Sequence, residues 1–404
     1  MNIFLIVQVV FHTTHNFITE FKTMVEHEFE IVIIGGGIIG CTTAYYITKH
    51  PFASELESLA KITLIEASKN GPAQGASGRA GGLVARWAYP KEIVDVSFDE
   101  HVKLAEEHNG KDRWGWRFVA CGSWEGRGEV ITTTEDHGGI SESKSLEKTL
   151  GLPGGKKPNR SHKTKRLPKD LLWVKEDLTD VYSPMAKDGE TAQVHPYQFT
   201  ISMFELAKER GLNYINGQAM KILVDDSDGK VTGVEYIEPE TKQTKTVPAT
   251  HVIVAAGAWS PQIVQGLPIS AVRAHSITVH PKQDVTIAPY VVFTEIRDPV
   301  SGTTSSPEIY ARPDNEVYAC GPGDGCPLPN CVDDVVVDEK SCDRIYEQVC
   351  SISQEIREGT VDQRQACFLP IVSTGGGPII REAINANGLF IGTGHTCWVS
   401  HIAL

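Results

Sequence analysis

The sequence predicts an α/β protein: a Rossmann-like dinucleotide-binding lobe assembled from separated segments, carrying a second lobe of antiparallel strands. Three observations predict it. An apolar run at 30–34 leads directly into Gly35, Gly37 and Gly40. Two later apolar runs, in THVIVAAGAWSPQI (250–263) and GLFIGTGHTCWVS (388–400), end in the same kind of small-residue turn. Between these two, segments of strand length such as SITVHP, YVVFTEI and EIYARP-DN-EVYACG are joined by turn residues.

The first run, EIVII, is continuously apolar after Glu30, as a parallel strand covered on both faces requires. The glycines after it stand at G-x-G-x-x-G spacing. Gly35 makes the tight turn, Gly37 lets backbone approach a pyrophosphate, and Gly40 lets the next helix pack closely on the strand. That helix should turn Cys41, Ala44, Tyr45 and Ile47 inward and stop near Pro51. Its unpaired N–H groups suit a phosphate. Alone, the motif also describes an ordinary strand-to-helix turn. The second strand, KITLIEA at 61–67, strengthens it, because Glu66 at its end can accept hydrogen bonds from an adenosine ribose. A carboxylate there repels a 2′-phosphate, which disfavours NADP. The stretch 52–60 lengthens the crossover.

GASGRAGGL (75–83) follows that strand as a small-residue loop able to approach a flat ring system, with Arg79 placed for a phosphate or a substrate anion. Residues 255–258 approach the nucleotide from its other side, and Gly392, Gly394 and His395 mark the start of a last helix. Helix starts favour negative charge.

Composition bounds the rest. With 404 residues, 41% hydrophobic and 22% charged, the chain can bury a sizeable core, and collagen-like, coiled-coil and wholly disordered readings are excluded. A formal charge of −13 argues against a nucleic-acid partner, which needs clustered cations. Nine cysteines include no C-x-x-C, and the densest group, Cys320, Cys326 and Cys331, lacks a fourth ligand at short spacing, so no metal is expected. A reduced, cytoplasmic protein fits best. The apolar first eleven residues are too short to span a bilayer, and residues 1–23 are read as an upstream extension or frayed tail before Met24.

Together, IVIIGGGIIG, LIEA, GASGRAGG, VIVAAGAWS and LFIGTGHTCW resemble the D-amino-acid oxidase/glycine oxidase superfamily of FAD-dependent oxidoreductases, over about residues 29–400 and most like its fungal cytoplasmic branch. The resemblance implies a glutathione-reductase-type FAD-binding lobe and an antiparallel substrate lobe. Carried over by motif, the FAD contacts are Gly35, Gly37, Ile38, Ile39, Gly40, Glu66, Ala67, Ser77, Gly78, Arg79, Gly81, Gly82 and Leu83, completed by Ala256, Gly257, Trp259, Gly394, His395 and Thr396. It also implies oxidation of a C–N bond in a small amine or amino acid, with hydride passing to flavin N5 and then to oxygen or another acceptor. Substrate-contact candidates are Arg312, Tyr310, Arg381 and His275. The segment QACFLPIVSTGG (365–376) departs from the family, which often has an arginine before the proline where this chain has Phe368 and Leu369. A second departure is at the end: the family continues with small residues and a closing helix, whereas this chain has Val399 in place of the usual glycine and reads on only to Leu404, so a truncated C-terminus is expected.

The expected organisation is an N-terminal extension (1–28), a first part of the FAD lobe (29–90), a helical segment with a basic insertion (91–195), a second part of the FAD lobe (196–264), the antiparallel lobe (265–365) and the C-terminal part of the FAD lobe (366–404). Helices are expected at 92–109 and 196–210, and a hairpin from NYINGQAMKILVDD to GKVTGVEYI. The basic loop 156–169 carries seven Lys or Arg in an acidic chain; a solvated insertion and a contact with an acidic protein or anionic lipid are both open readings. That loop motivates an alternative to the enzyme, a flavin-fold regulatory or binding protein without turnover; the resemblance to the fungal branch implies endosome-to-Golgi sorting as its setting.

Overall fold

The computed structural model describes residues 29–50, 60–131 and 164–398. The N-terminal tail, the stretch 52–59, most of the basic loop, Val399 and the C-terminal residues after it lie outside the described residues.

The strand Phe29–Ile34 lies at the centre of a six-stranded sheet, in the order Ile379–Glu382, Leu389–Thr393, His251–Val254, Phe29–Ile34, Ala60–Glu66, Asn213–Asn216. All pairs are parallel except the edge pair of Ile379–Glu382 with Leu389–Thr393. The central strands are apolar on both faces because both are covered: Ile31 and Ile33 face the helices Ile38–Lys49 and Pro196–Lys208, and Val32 and Ile34 face a three-stranded meander. The first helix begins after Gly37, buries Cys41, Ala44, Tyr45 and Ile47, and ends at Lys49, as its pattern requires. Pro196 opens the Pro196–Lys208 helix, and Gly211, with φ +92°, follows its end. The chain reverses about the central strand, so the carboxyl ends of Phe29–Ile34, Ala60–Glu66 and His251–Val254 open onto one crevice, where such sheets bind ligands.

The second sheet runs Thr360–Val372, Ile269–His280, Val317–Asp324, Glu308–Ala311, Tyr290–Arg297, Ala120–Arg127, Thr179–Pro184. Alternation divides its residues between two faces. Ile277, Val279, Val292, Ile309, Val317 and Ala319 pack with Cys342, Ile345 and Val349 of the helix Glu339–Cys350. The other face meets the nucleotide lobe. Register aligns Phe293, Glu308 and Cys320 in one rung of it and Val291, Tyr310 and Tyr318 in the next.

Three expectations change. The segment 91–195 holds the long helix Lys91–Glu107, but it also supplies Ala120–Arg127 and Thr179–Pro184 to the second sheet. Their side chains mix small, aromatic and charged types, so the strand period is weak there. The strand Thr360–Val372 runs through the expected boundary at 365/366 and pairs along its length with Ile269–His280. The expected hairpin begins only at Gln218, because Asn213–Asn216 pairs with Ala60–Glu66 in the parallel sheet. Gly217 divides the two: its N–H is held by the Glu66 carbonyl, and a Cβ there would meet Tyr236 at 2.5 Å.

Candidate functional site

The crevice is built first from backbone. Gly35 sits at φ +110°, where a side chain would also lie 2.6 Å from the Ala255 carbonyl oxygen. Gly40 packs so closely that a Cβ would be 1.9 Å from the Gly35 carbonyl oxygen. The helix that follows has no side-chain cap from Gly37 and no acid in its first turn. Ser77 Oγ, from the 75–83 loop, accepts the Ile38 N–H at 2.9 Å. With a glycine in the cap position and only the Ile38 N–H taken by Ser77, this helix start and its glycine cradle suit an anionic phosphate.

From that point the cleft extends in two directions. Toward one end lie Ile65, Glu66, Ala67, Gln218 and the loop Asn330–Val332; toward the other, Phe368, Pro370, Thr393 and His395, with the Trp259 ring between the two, 6.3 Å from Phe368. The Glu66 carboxylate is buried and accepts the Gly36 N–H at 2.6 Å and the Ser68 N–H at 2.7 Å. Burial raises its pKa while those N–H groups pull the other way. The Asn330–Val332 loop is fastened over this end: Ser68 Oγ donates to Asp333 at 2.6 Å, and Trp259 Nε1 donates to the Pro329 carbonyl at 2.8 Å. At the far end His395 is 2% exposed, its Nε2 has no hydrogen-bond partner, and burial depresses its pKa to about 3. A buried, neutral ring nitrogen without a partner on a cleft wall suits a polar ligand atom.

The structure distributes the expected residues unevenly. Gly35, Gly37, Ile39, Glu66, Ala67, Ser77, Ala256, Gly257, Trp259 and His395 line the cleft. Ile38 and Gly40 support it from within the helix. Gly394, at φ +84°, turns the chain at the cleft's end, followed by Thr396, whose hydroxyl donates to the His395 carbonyl. Gly78 and Arg79 instead border a second, polar cavity of about 370 Å³, together with His195, Arg312, Glu316 and Gln365. Gly81, Gly82 and Leu83 run beneath the second sheet, where a Cβ on Gly81 would sit 2.9 Å from the Tyr310 ring.

The substrate candidates separate in the same way. Tyr310 is buried over Gly81, and its hydroxyl donates to Glu308 at 2.6 Å. Arg312 is buried as well. It pairs with Glu316 at 2.7 Å, donates to the Ala80 carbonyl and lies 4.6 Å from the Tyr318 ring centroid. His275 points elsewhere: its Nε2 accepts the Asp338 N–H at 3.0 Å, which anchors the helix Glu339–Cys350. Arg381 is exposed on the edge strand of the nucleotide sheet, away from the Tyr310 cluster. Arg79, read as a phosphate or substrate contact, donates to the Ala366 carbonyl at 2.5 Å and so ties the loop to the second sheet.

Sequence reasoning missed Gly36, Ala73, Gln74, Asn330, Cys331, Val332 and Pro370 on or beside the cleft. Gly36 was legible, as the middle glycine of the motif. The 330–332 loop carried no signal of its own. The cysteines form no disulfide; Cys320 is buried in the sheet, apart from the loop that holds Cys326 and Cys331.

A profile of the family described as DAO, FAD dependent oxidoreductase, matches residues 30–401. The chain belongs to this family. It is 31% identical to the Saccharomyces cerevisiae oxidoreductase TDA3, over 91% of this chain and 88% of that one. In fold it is similar to glycine oxidase from Geobacillus kaustophilus, with a TM-score of 0.64 at 17% identity over 93% of this chain and 92% of that one. Iminodiacetate oxidase from Chelativorans sp. BNC1 has a TM-score of 0.63 at 20% identity, over 92% of both chains.

The cofactor of the family, FAD, fits these residues on three counts: the glycine cradle, the helix start with glycine in its cap position and no acid in its first turn, and the partnerless His395 Nε2. In this FAD-dependent oxidoreductase, Gly35–Ile39 would hold the diphosphate, Glu66 the adenosine end, and the segment around His395 the opposite end of the dinucleotide.

Proposed function

We propose that this oxidoreductase oxidises a C–N bond of a small amine or amino acid and passes the electrons to oxygen or another small acceptor. One observation carries the reading. The face of the second sheet turned toward the 75–83 loop buries hydrogen-bonding groups, Glu308, Tyr310 and Tyr318, in a predominantly aromatic surround. Such a roof can orient a small polar molecule and keep water away from it. The fold neighbours named glycine oxidase and iminodiacetate oxidase support it, since both names denote amines.

When bound, FAD supplies the two-electron acceptor chemistry. The chain's own contribution is orientation. Burial, with Glu308 beside it, holds the Tyr310 phenol well above its ordinary pKa, so Tyr310 stays protonated and acts as a donor. Arg312 fixes the 75–83 loop against the sheet through Ala80, and Tyr318 adds a hydrogen bond from its hydroxyl to the Arg79 carbonyl at 3.1 Å. His395 stays neutral, so it can donate or accept at a ligand without adding charge.

The test is anaerobic mixing of the FAD-loaded protein with a panel of amines and amino acids while the flavin absorbance is followed. Bleaching by members of the panel is expected. A flavin bleached by dithionite but by no amine or amino acid would overturn the reading and favour a binding role without turnover.

A further inference from the structure

Glu308 is the most unusual buried group in the molecule. It is 6% exposed; its Oε2 accepts from the Tyr310 hydroxyl at 2.6 Å and from Cys320 Sγ at 3.8 Å, while its Oε1 is buried without a partner. Among the described residues no lysine or arginine pairs with it. The nearest arginine in sequence, Arg312, is committed to Glu316, the Ala80 carbonyl and the Tyr318 ring. An unaccompanied carboxylate in such a place is costly, and the cost is relieved by a cation or by protonation.

Burial raises the pKa of Glu308 and so favours protonation when it stands alone; its surroundings also suit a cation. Glu308 occupies the middle of its rung, between Phe293 and Cys320. Phe293 lies 6.4 Å from Tyr310 and 6.0 Å from Trp87, centroid to centroid, and Tyr310 lies 5.6 Å from Tyr318. Aromatic rings near a buried acid can contribute to holding an ammonium group. A second carboxylate brought here would meet like charge in a poorly screened site. The Phe368 and Leu369 positions add no cation that could offset it.

We propose that Glu308 is the cation-recognising residue of the substrate site, and that the substrate is a small amine bound as its ammonium ion rather than an amino acid held by its carboxylate. This rests on the C–N oxidation reading and narrows it. The Tyr310 hydroxyl keeps Glu308 Oε2 oriented, and Oε1 receives the ammonium N–H and then takes its proton, because only the neutral amine can give up an α hydride. The position of Tyr310 over Gly81 sets that contact against the loop that carries the cofactor.

The decisive probes are tert-butylammonium, which has no α C–H and cannot be oxidised, and pivalate, its carboxylate counterpart of similar shape. Binding of each to the FAD-loaded protein is measured by titration calorimetry. The expected result is saturable binding of tert-butylammonium and none of pivalate, with Glu308→Gln weakening the cation roughly ten- to hundredfold and Glu308→Asp retaining part of it. Pivalate binding as well as the cation, no cation binding, or an unchanged affinity in Glu308→Gln would overturn the proposal. Should Glu308→Gln fail to fold, the matched pair on the native protein decides alone. Bleaching by an amino acid without tert-butylammonium binding would remove the role of Glu308 and leave C–N oxidation standing. Cation binding governed by Glu308, with no amine bleaching the flavin, would keep the site and remove the oxidation.

Discussion

Neighbouring glycines in the first loop do different work, and substitution should separate them. A Cβ on Gly37 meets little except Ser77 Oγ at 3.1 Å, so a side chain there grows into the phosphate cradle rather than into the fold. Gly37→Val is expected to abolish bound FAD, read from visible absorbance, while far-ultraviolet circular dichroism stays native. Gly40→Ala places a methyl group 1.9 Å from the Gly35 carbonyl oxygen, which only a backbone shift can relieve. It should cost about 3 kcal/mol or more in urea denaturation, at the upper end for overpacking. His395 gives a pH signature at the same scale. Burial depresses its pKa to about 3 in the folded protein from the ordinary 6.5. The unfolded chain therefore binds more protons between those values, and stability falls as pH drops through 6.5 toward 3, by up to about 1.4 kcal/mol per pH unit. His195, depressed to about 4 chiefly by burial, acts in the same direction. His395→Asn should flatten the loss of urea stability between about pH 6.5 and about pH 5; an unchanged slope would show that the ring is not buried as described.

At the scale of elements, the 75–83 loop joins the two sheets, and Arg312 is one of its fastenings, beside Arg79 and Tyr318. Removing that guanidinium leaves the Glu316 carboxylate, 14% exposed, and the Ala80 carbonyl without their donor. Arg312→Ala is expected to cost about 3 kcal/mol, as the loss of one partner of a buried pair does, and to weaken FAD binding by loosening the loop. Parallel urea and FAD titrations measure both; an unaltered FAD affinity would detach the loop from the cofactor. The nucleotide elements were legible because a doubly covered strand, a glycine turn and an amphipathic helix are each written in contiguous residues. The Phe29–Ile34 strand, its helix and the Ala60–Glu66 strand fall within two residues of where pattern put them. The second sheet was only partly legible. Its order depends on pairings between distant segments, such as the parallel match of Ala120–Arg127 with Tyr290–Arg297, which no local pattern encodes. The roles of Arg312, His275 and Glu308 were illegible for the same reason: a residue type names a chemistry, but register decides which face and which partner it meets. Glu308 reads in sequence as one more charge beside a proline.

Across the whole molecule, the cofactor would touch distant segments of the nucleotide lobe at once. Its cleft is lined from Gly35–Ile39, from Ala73–Ser77, from Ala255–Trp259, from Asn330–Val332 and from Gly392–His395, segments that span most of the chain. FAD would contact all of these segments at once, so it should add a crosslink to the strand pairings that already join them. A ligand that binds only the native form stabilises it by RT ln(1 + [L]/Kd), or about 2.7 kcal/mol at a hundredfold excess over Kd. The FAD-stripped protein is therefore expected to melt several degrees below the loaded one, in proportion to FAD concentration. Hydrogen exchange locates the effect. Protection on FAD addition should rise together in those five segments, whereas the meander strands Gln218–Val224, Val231–Ile237 and Thr244–Pro248, packed on the sheet mainly through Val231, Val234 and Val247, should change little beyond Gln218 and Ala219 at the cleft. Protection confined to Gly35–Ile39 would mean that the other segments are already fixed without the cofactor. A uniform rise through the meander would mean instead that FAD governs the folding of the whole chain rather than the closure of one cleft.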